Sequence, residues 1–208
     1  FPQFNQRGPL PKHGFVRNLP WQLDERQSAP QELALVLHDG DATRAFWPHA
    51  FRAELRVSLQ PSSLRTTLTV DNTGSAPWSF AAALHTYLRV AEIAEVRLEG
   101  LQGANRWDAV RDDRHVEMAP ALHFDGEFDS VYASPAHDLR LVQPGAMLNI
   151  SQSASCTETV VWNPGAQLSA KLADMPDDGY RHMLCVEAAR IDEPVQLHGG
   201  GQWKGWQE

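Results

Sequence analysis

A histidine, a tyrosine and an arginine alternate with apolar residues in the segment 79–90, next to small alanines. This alternation predicts a strand over residues 80–90 with a polar face. Small side chains beside polar ones leave a hollow that is lined with hydrogen-bonding groups, as ligand sites require. A histidine satisfied by a cross-strand hydrogen bond is the alternative, and for a lone histidine it is the commoner one. The residues of the predicted polar face are Ala81, Ala83, His85, Tyr87 and Arg89.

A single acidic residue, Glu187, interrupts the apolar run 183–189. Because residues of both parities are apolar, the run predicts a strand that is covered on both faces. A buried carboxylate there is costly unless it has partners, stays protonated or serves a function. Burial raises the pKa of a carboxyl group toward neutrality, which suits a general base. The alternative is a glutamate at a strand end whose carboxylate reaches solvent.

Basic residues cluster near the start of an otherwise acidic chain. Arg7, Lys12 and Arg17 fall within eleven residues, and His13 lies among them in a segment rich in Gly and Pro. An arginine in such a cluster can bind a phosphate or carboxylate through two parallel hydrogen bonds. A solvated basic edge is the commoner reason for a cluster of this kind.

An acidic turn over residues 125–132 precedes a predicted strand. It contains Asp125, Glu127 and Asp129, and loops of this composition often hydrogen-bond sugar hydroxyls. Equally often they are only turns.

Composition narrows the class of protein. The chain has 208 residues, of which 42% are hydrophobic, which favours one globular domain over residues 1–208. The net charge of -8 excludes general binding to the nucleic-acid backbone. We find neither a run of about 18 apolar residues nor a basic and apolar leader, and we therefore expect a cytoplasmic protein with no membrane partner. Cys156 and Cys185 are too few for a disulfide framework.

Alternation with a period of two dominates the chain and predicts an all-β sandwich of antiparallel strands. It is clearest over Phe51–Leu59 and again over 64–70, before the turn at 71–74. These segments predict an antiparallel meander, whereas helical periodicity is almost absent. Further strands are predicted at 33–37, 80–90, 95–99, 139–142, 147–152, 158–162, 167–172 and 181–190.

Six motifs in order along nearly the whole chain resemble the glucose-6-phosphate 1-epimerase family, a branch of the aldose 1-epimerase (galactose mutarotase) superfamily. The resemblance implies a galactose mutarotase-like β-supersandwich of antiparallel sheets, with the sugar bound on a concave face. The motifs are HGFVRN at 13–18, RAFWPHAF at 44–51, LHTY at 84–87, WNPG at 162–165, the segment 174–180 and CVEAA at 185–189.

The resemblance also implies residue roles. His85 matches the acid that protonates the ring oxygen, and Glu187 matches the base that removes the anomeric hydroxyl proton. His13 matches a second active-site histidine, Asp129 an aspartate that binds sugar hydroxyls, and Arg17 an arginine near the sugar phosphate. Members of this family begin with several dozen further residues, so we expect that an N-terminal portion of the domain lies outside this sequence.

The activity implied is interconversion of the α and β anomers of a hexose 6-phosphate, with the acid and the base on opposite sides of the anomeric centre. It needs no metal or other cofactor, and we expect a monomer whose partner is a small sugar phosphate.

Two other interpretations remain open. A non-catalytic carbohydrate-binding sandwich would use tryptophan platforms, and the chain has seven tryptophans. A metal site could be built from His13, His85 and Glu187, although their spacing forms no compact ligand motif. The remaining histidines, which show no ligand spacing, are His38, His49, His115, His123, His137, His182 and His198.

Overall fold

The computed structural model describes residues 1–133 and 138–208, and these form two compact units. His137 therefore lies outside the described residues. The first unit comprises Phe1–Leu84, Ser153–Cys156 and Ala189–Glu208, and the second comprises His85–Gln152 and Thr157–Ala188.

The first unit is built on a five-stranded antiparallel sheet in the order β1-β2-β3-β4-β16. It also contains β5, which pairs with β15 (Met183–Leu197). Alternate residues of the sheet, among them Phe51 and Val70, face a core that also takes in Phe80 and Leu197. The bounds are β1 (Gln22–Leu23), β2 (Glu32–His38), α1 (Asp41–Arg44), β3 (Phe51–Leu59), β4 (Leu64–Asn72), β5 (Trp78–Leu84) and β16 (Gln202–Gln207), with a 3-10 turn at Val16–Asn18.

The second unit contains two antiparallel sheets that share one core. One sheet has the order β10-β7-β12-β13, and the other runs β15-β14-β11-β8-β9 with β6 also paired to β15. Leu98 and Leu141 of the former sheet pack with Tyr132, Val161 and Val186 of the latter. The bounds are β6 (Tyr87–Arg89), β7 (Arg97–Glu99), β8 (Asn105–Asp108), β9 (Asp113–Val116), β10 (Ala121–Leu122), β11 (Phe128–Ala133), β12 (Leu139–Gln143), β13 (Ala146–Ile150), β14 (Glu158–Asn163) and α2 (Gly165–Ser169), with 3-10 turns at Ile93–Glu95 and Gly179–His182.

The longest strand, β15 (Met183–Leu197), contributes to both units. Its residues 183–188 belong to the second unit, and its remaining residues belong to the first. Every residue from Met183 to Ala189 is buried, as the apolar run predicted for a strand covered on both faces.

The predicted antiparallel all-β class is confirmed. β3 begins and ends where the alternation predicted, and it pairs with β2 and β4 as the predicted meander, with Leu55 opposite both Leu35 and Leu68. Neither helix in the described residues is longer than five residues, and none is long and apolar enough to cross a membrane. Cys156 and Cys185 are both buried, and neither forms a disulfide.

Two strand predictions are wrong. The strand expected at 167–172 is replaced by α2, because Ala, Gln and Leu are good helix formers and the preceding Pro164 sits at the helix start, where its missing N–H costs nothing. The single strand expected over 80–90 is instead two strands, β5 and β6, separated at His85 and Thr86.

Candidate active site

Strand β15 carries Glu187 into the interior of the second unit. Alternate residues of a strand face opposite sides, and here Leu184 and Val186 enter the core that the two sheets share. Glu187 and Cys185 therefore lie on the other face. Only 3% of Glu187 is exposed, so its carboxyl group lacks most of the hydration that stabilises a negative charge.

His85 lies opposite Glu187 because of the register between β6 and β15. Tyr87 pairs with Cys185 and Leu88 with Leu184, so continuing this register by two residues aligns His85 with Glu187. The amide of Val186 also donates a 3.3 Å hydrogen bond to the carbonyl of Thr86 across the interruption between β5 and β6. As a result, His85 Nε2 lies 3.4 Å from Glu187 Oε1.

Two aromatic rings surround the imidazole. The ring of Tyr87 is stacked on His85, with centroids 4.9 Å apart and planes inclined by 12°. Trp162 of β14 meets both rings edge to face, at 5.9 Å from His85 and 6.2 Å from Tyr87. The predicted shared face of His85 and Tyr87 thus exists, although the strand is interrupted between them.

Asp129 adds a second carboxylate to the same region. It lies on β11 directly opposite Trp162, and its carbonyl accepts a 2.8 Å hydrogen bond from the amide of Ala109. Burial and, secondarily, the negative charge of Asp129 raise the pKa of Glu187 to about 8. The direction is the one expected for a carboxyl group in an apolar strand.

The thiol of Cys185 lies close to His85 and Glu187. One ligand-type atom each of His85, Cys185 and Glu187 falls within 4.8 Å of the others. Burial and the neighbouring Glu187 raise the pKa of this thiol far above its ordinary value.

The side chain of Asn163, the last residue of β14, is hydrogen-bonded to the start of β15. Its side-chain amide donates 2.8 Å hydrogen bonds to the carbonyls of Tyr180 and Met183, and its carbonyl oxygen accepts one of 2.8 Å from the amide of Gly165. Gly165 has φ +61°, and a Cβ there would come within 2.5 Å of the amide nitrogen of Glu127. The WNPG motif therefore has a structural role next to the site, because it connects the end of β14 to the start of β15.

The other two predicted site residues, His13 and Arg17, belong to the first unit. His13 has φ +63°, and its Nδ1 accepts a 3.2 Å hydrogen bond from the amide of Asn5. Arg17 is exposed in the 3-10 turn and donates to the carbonyl of Lys12 at 3.4 Å. Of the five predicted residues, the second unit thus brings together His85, Glu187 and Asp129.

Sequence reasoning missed two features of the site. It considered Cys185 only for disulfides and counted Trp162 only among the seven tryptophans, without placing either one beside His85. Both positions depend on strand pairing, Cys185 opposite Tyr87 and Trp162 opposite Asp129. The sequence could have placed Cys185 by its spacing, because a residue two positions from Glu187 lies on the same face of the strand.

Comparison with known proteins identifies the family. The family model described as Aldose 1-epimerase matches residues 1–208. A protein of Cenchrus ciliaris named "Putative glucose-6-phosphate 1-epimerase" is 33% identical over 98% of this chain and 66% of its own length. A protein of Escherichia coli (strain K12) with the same name is 35% identical over 90% of this chain and 63% of its own length. The chain thus spans about two thirds of the curated relatives that it matches.

Solved structures agree with this assignment. The crystal structure of "a putative mutarotase (YeaD)" from Salmonella typhimurium superposes with a TM-score of 0.86 and 29% identity, over all of this chain and 70% of that one. The galactose mutarotase-like fold that the sequence motifs implied is therefore confirmed. The match along the full sequence and the structural similarity lead to one conclusion: the chain belongs to the aldose 1-epimerase family.

Proposed function

We propose that the protein is an isomerase that interconverts the α and β anomers of a hexose 6-phosphate, with Glu187 as general base and His85 as general acid. The observation that carries this proposal is the 3.4 Å contact between a buried carboxyl group and a partly exposed imidazole. Acid–base catalysis requires at least one group that takes a proton and one that gives a proton, held together where a ligand can reach them.

The reaction opens and recloses the sugar ring. Glu187 takes the proton of the O1 hydroxyl while His85 gives a proton to the ring oxygen O5, and the C1–O5 bond breaks to leave an open-chain aldehyde. Rotation about the C1–C2 bond presents the other face of the carbonyl carbon to the O5 hydroxyl. His85 then takes the O5 proton, the C1–O5 bond re-forms and Glu187 returns a proton to O1.

The short separation of the pair suits this chemistry. O1 and O5 are bonded to the same carbon, so the two groups that exchange protons with them must also be neighbours. The 3.4 Å separation of the two side-chain heads meets this requirement. In the active state Glu187 is ionised while His85 carries the proton that it donates to O5.

The pKa of Glu187 defines how readily this state forms. With its pKa raised to about 8, the carboxyl group holds its proton near neutral pH and is a stronger base once it has lost it. A base whose pKa lies near the working pH gives the most effective proton transfer. Burial therefore serves catalysis here rather than stability.

Three further residues are proposed as substrate contacts. Asp129 lies across one strand from Glu187 in the sheet and is suited to accept hydrogen bonds from sugar hydroxyls. Arg17 is exposed and is proposed to bind the phosphate, and His13 to complete the sugar site. The preference for a 6-phosphate rests on the motif resemblance and on the names of the Cenchrus and Escherichia relatives. A single domain, a monomeric state and a cytoplasmic location also stay predictions.

Anomer exchange of freshly dissolved α-glucose 6-phosphate, followed by NMR, tests the proposal. We expect the wild type to accelerate exchange above the buffer rate and Glu187→Gln and His85→Gln each to lose at least about 100-fold. Glu193→Gln is the matched control, because Glu193 lies on the same strand with 84% of its side chain exposed, and it should retain activity.

The same experiment separates the enzyme from a carbohydrate-binding module. Measurable sugar binding by the wild type with anomer exchange at the buffer rate would contradict the proposal and favour the binding module. Trp47 provides no platform for that alternative, since it is buried in the core of the first unit.

A further inference from the structure

We infer that Tyr87 is a positioning residue for His85: its stacked ring holds the imidazole in the plane that directs Nε2 at Glu187. The inference rests on the proposed function, because it assigns Tyr87 a role in the proton transfer proposed for His85. It concerns a side chain that is 55% exposed, whose ring contributes little to the core of the second unit.

The rings of His85 and Tyr87 form a stack. The two rings are nearly parallel, at 12°, and their centroids are 4.9 Å apart. An offset stack of this kind is a favoured aromatic arrangement worth about 0.5–1.5 kcal/mol beyond the area that it buries. Rotation of the imidazole about its own side-chain bonds would break the stack, so Tyr87 restrains the ring plane.

The restraint on the imidazole acts in more than one direction. Trp162 meets the His85 ring at 79° and the Tyr87 ring at 84°. Tyr87 therefore covers one face of the imidazole, while Trp162 lies against the same two rings nearly at right angles. The contact to Glu187 engages the edge of the imidazole, which leaves the direction of Nε2 defined.

The position of His85 requires such a restraint. It lies in the interruption between β5 and β6, and its side chain is 42% exposed. An imidazole at the surface loses rotamer entropy when it is held in one orientation. Misplacing a catalytic group by about 1 Å can cost about 100-fold in rate, so a stacked ring that fixes the orientation has a measurable effect.

The charge of the neighbouring groups agrees with this role. The π face of a tyrosine attracts a cation placed over it, so the stack favours the protonated imidazole that donates to O5. The other titratable groups grouped around His85 are Glu187 and Cys185 on β15 and Asp129 on β11, whose charge acts on Glu187. Both carboxyl groups favour the same protonated form when ionised.

Two substitutions at position 87 test the inference. Tyr87→Phe keeps the ring and removes only the hydroxyl, whereas Tyr87→Leu removes the ring. We measure kcat and KM for anomer exchange of glucose 6-phosphate and, independently, the NMR shifts of the His85 ring protons, which a stacked ring moves by its ring current. Phe46→Leu is the control, because Phe46 is a similarly exposed ring, at 57%, in the other unit.

We expect Tyr87→Phe to match the wild type in both measurements. Tyr87→Leu should lower kcat about ten-fold, leave KM within about two-fold and move the His85 ring-proton shifts, with Phe46→Leu unchanged. The inference is overturned if Tyr87→Leu keeps full kcat, if it changes KM alone, or if Tyr87→Phe loses as much as Tyr87→Leu. Should the wild type not exchange anomers, the proposed function fails on that result, and unchanged His85 shifts in Tyr87→Leu would still overturn the positioning role.

Discussion

His85 Nε2 and Glu187 Oε1 lie 3.4 Å apart, and the two residues differ sharply in their access to solvent. Only 3% of Glu187 is exposed, whereas the imidazole of His85 is partly exposed. The buried partner is thus a carboxyl group with a raised pKa, and the exposed partner is the one that can exchange protons with solvent.

The burial of Glu187 makes stability depend on pH. Folding raises the pKa of this carboxyl group from 4.5 to about 8, so the folded state binds the proton more tightly than the unfolded state does. The contribution to stability is therefore present below about pH 4.5 and is lost as pH rises toward 8. We expect wild-type stability to fall over this range by a few kcal/mol and Glu187→Gln to show a flatter dependence, measured as urea midpoints at about pH 5 and 9.

The control for this prediction is Glu193→Gln, whose exposed carboxylate should leave the wild-type pH dependence unchanged. A Glu187→Gln variant that follows the wild-type dependence would contradict the raised pKa.

Asp129 acts on Glu187 through its charge. A negative neighbour raises the pKa of a carboxyl group, so Asp129→Asn should lower the pKa of Glu187 and move the low-pH limb of kcat/KM to lower pH. Because burial is the larger cause, we expect the limb to move by less than about one pH unit. Asp125→Asn, in the preceding exposed turn, is the control, and a limb that stays in place or moves upward in Asp129→Asn would count against the electrostatic coupling.

Arg17 is predicted to distinguish phosphorylated from free sugars. A charge-assisted hydrogen bond to phosphate is worth about 1.5–3 kcal/mol, so Arg17→Gln should raise KM for glucose 6-phosphate about ten-fold or more. KM for free glucose should not change. Arg44→Gln removes a different exposed arginine, paired with Asp39, as the control. Equal effects on both substrates would rule out a phosphate contact.

Asn163 is predicted to support the fold beside the site rather than the chemistry itself. Replacing it with alanine leaves the carbonyls of Tyr180 and Met183 and the amide of Gly165 without their present partner. Each such loss costs about 1–3 kcal/mol, so Asn163→Ala should lower the free energy of unfolding by about 3 kcal/mol or more. Asn105→Ala, at an exposed strand position, should change stability little, and an Asn163→Ala variant as stable as that control would contradict the structural role.

The strands that the sequence predicted well are those in which apolar and polar residues alternate. Alternation over Phe51–Leu59 reproduced the bounds of β3, and Phe51 and Ala53 of this strand enter the core of the first unit. Asp113–Val116 lacks that signal, since all four residues are exposed on the edge strand β9. The apolar spacing over 167–172 instead predicted a strand that does not form. Helix propensity determines the structure of a short segment that does not pair with another strand.

The candidate site was predictable residue by residue but not as an arrangement. An apolar run around Glu187 reveals its burial, the LHTY motif selects His85, and the family resemblance selects Asp129. Only strand register shows that His85 faces Glu187 and that Asp129 faces Trp162. Register depends on pairing between segments far apart in sequence, which alternation within one segment does not encode.

The pH dependence of kcat/KM for anomer exchange, measured from about pH 5 to 9, tests the acid and base pair most directly. We predict a bell-shaped profile for the wild type, since full protonation of the pair removes the base and full deprotonation removes the acid. Glu187→Gln should be slow and lose this shape. A flat profile in both proteins would contradict proton transfer by Glu187 and His85.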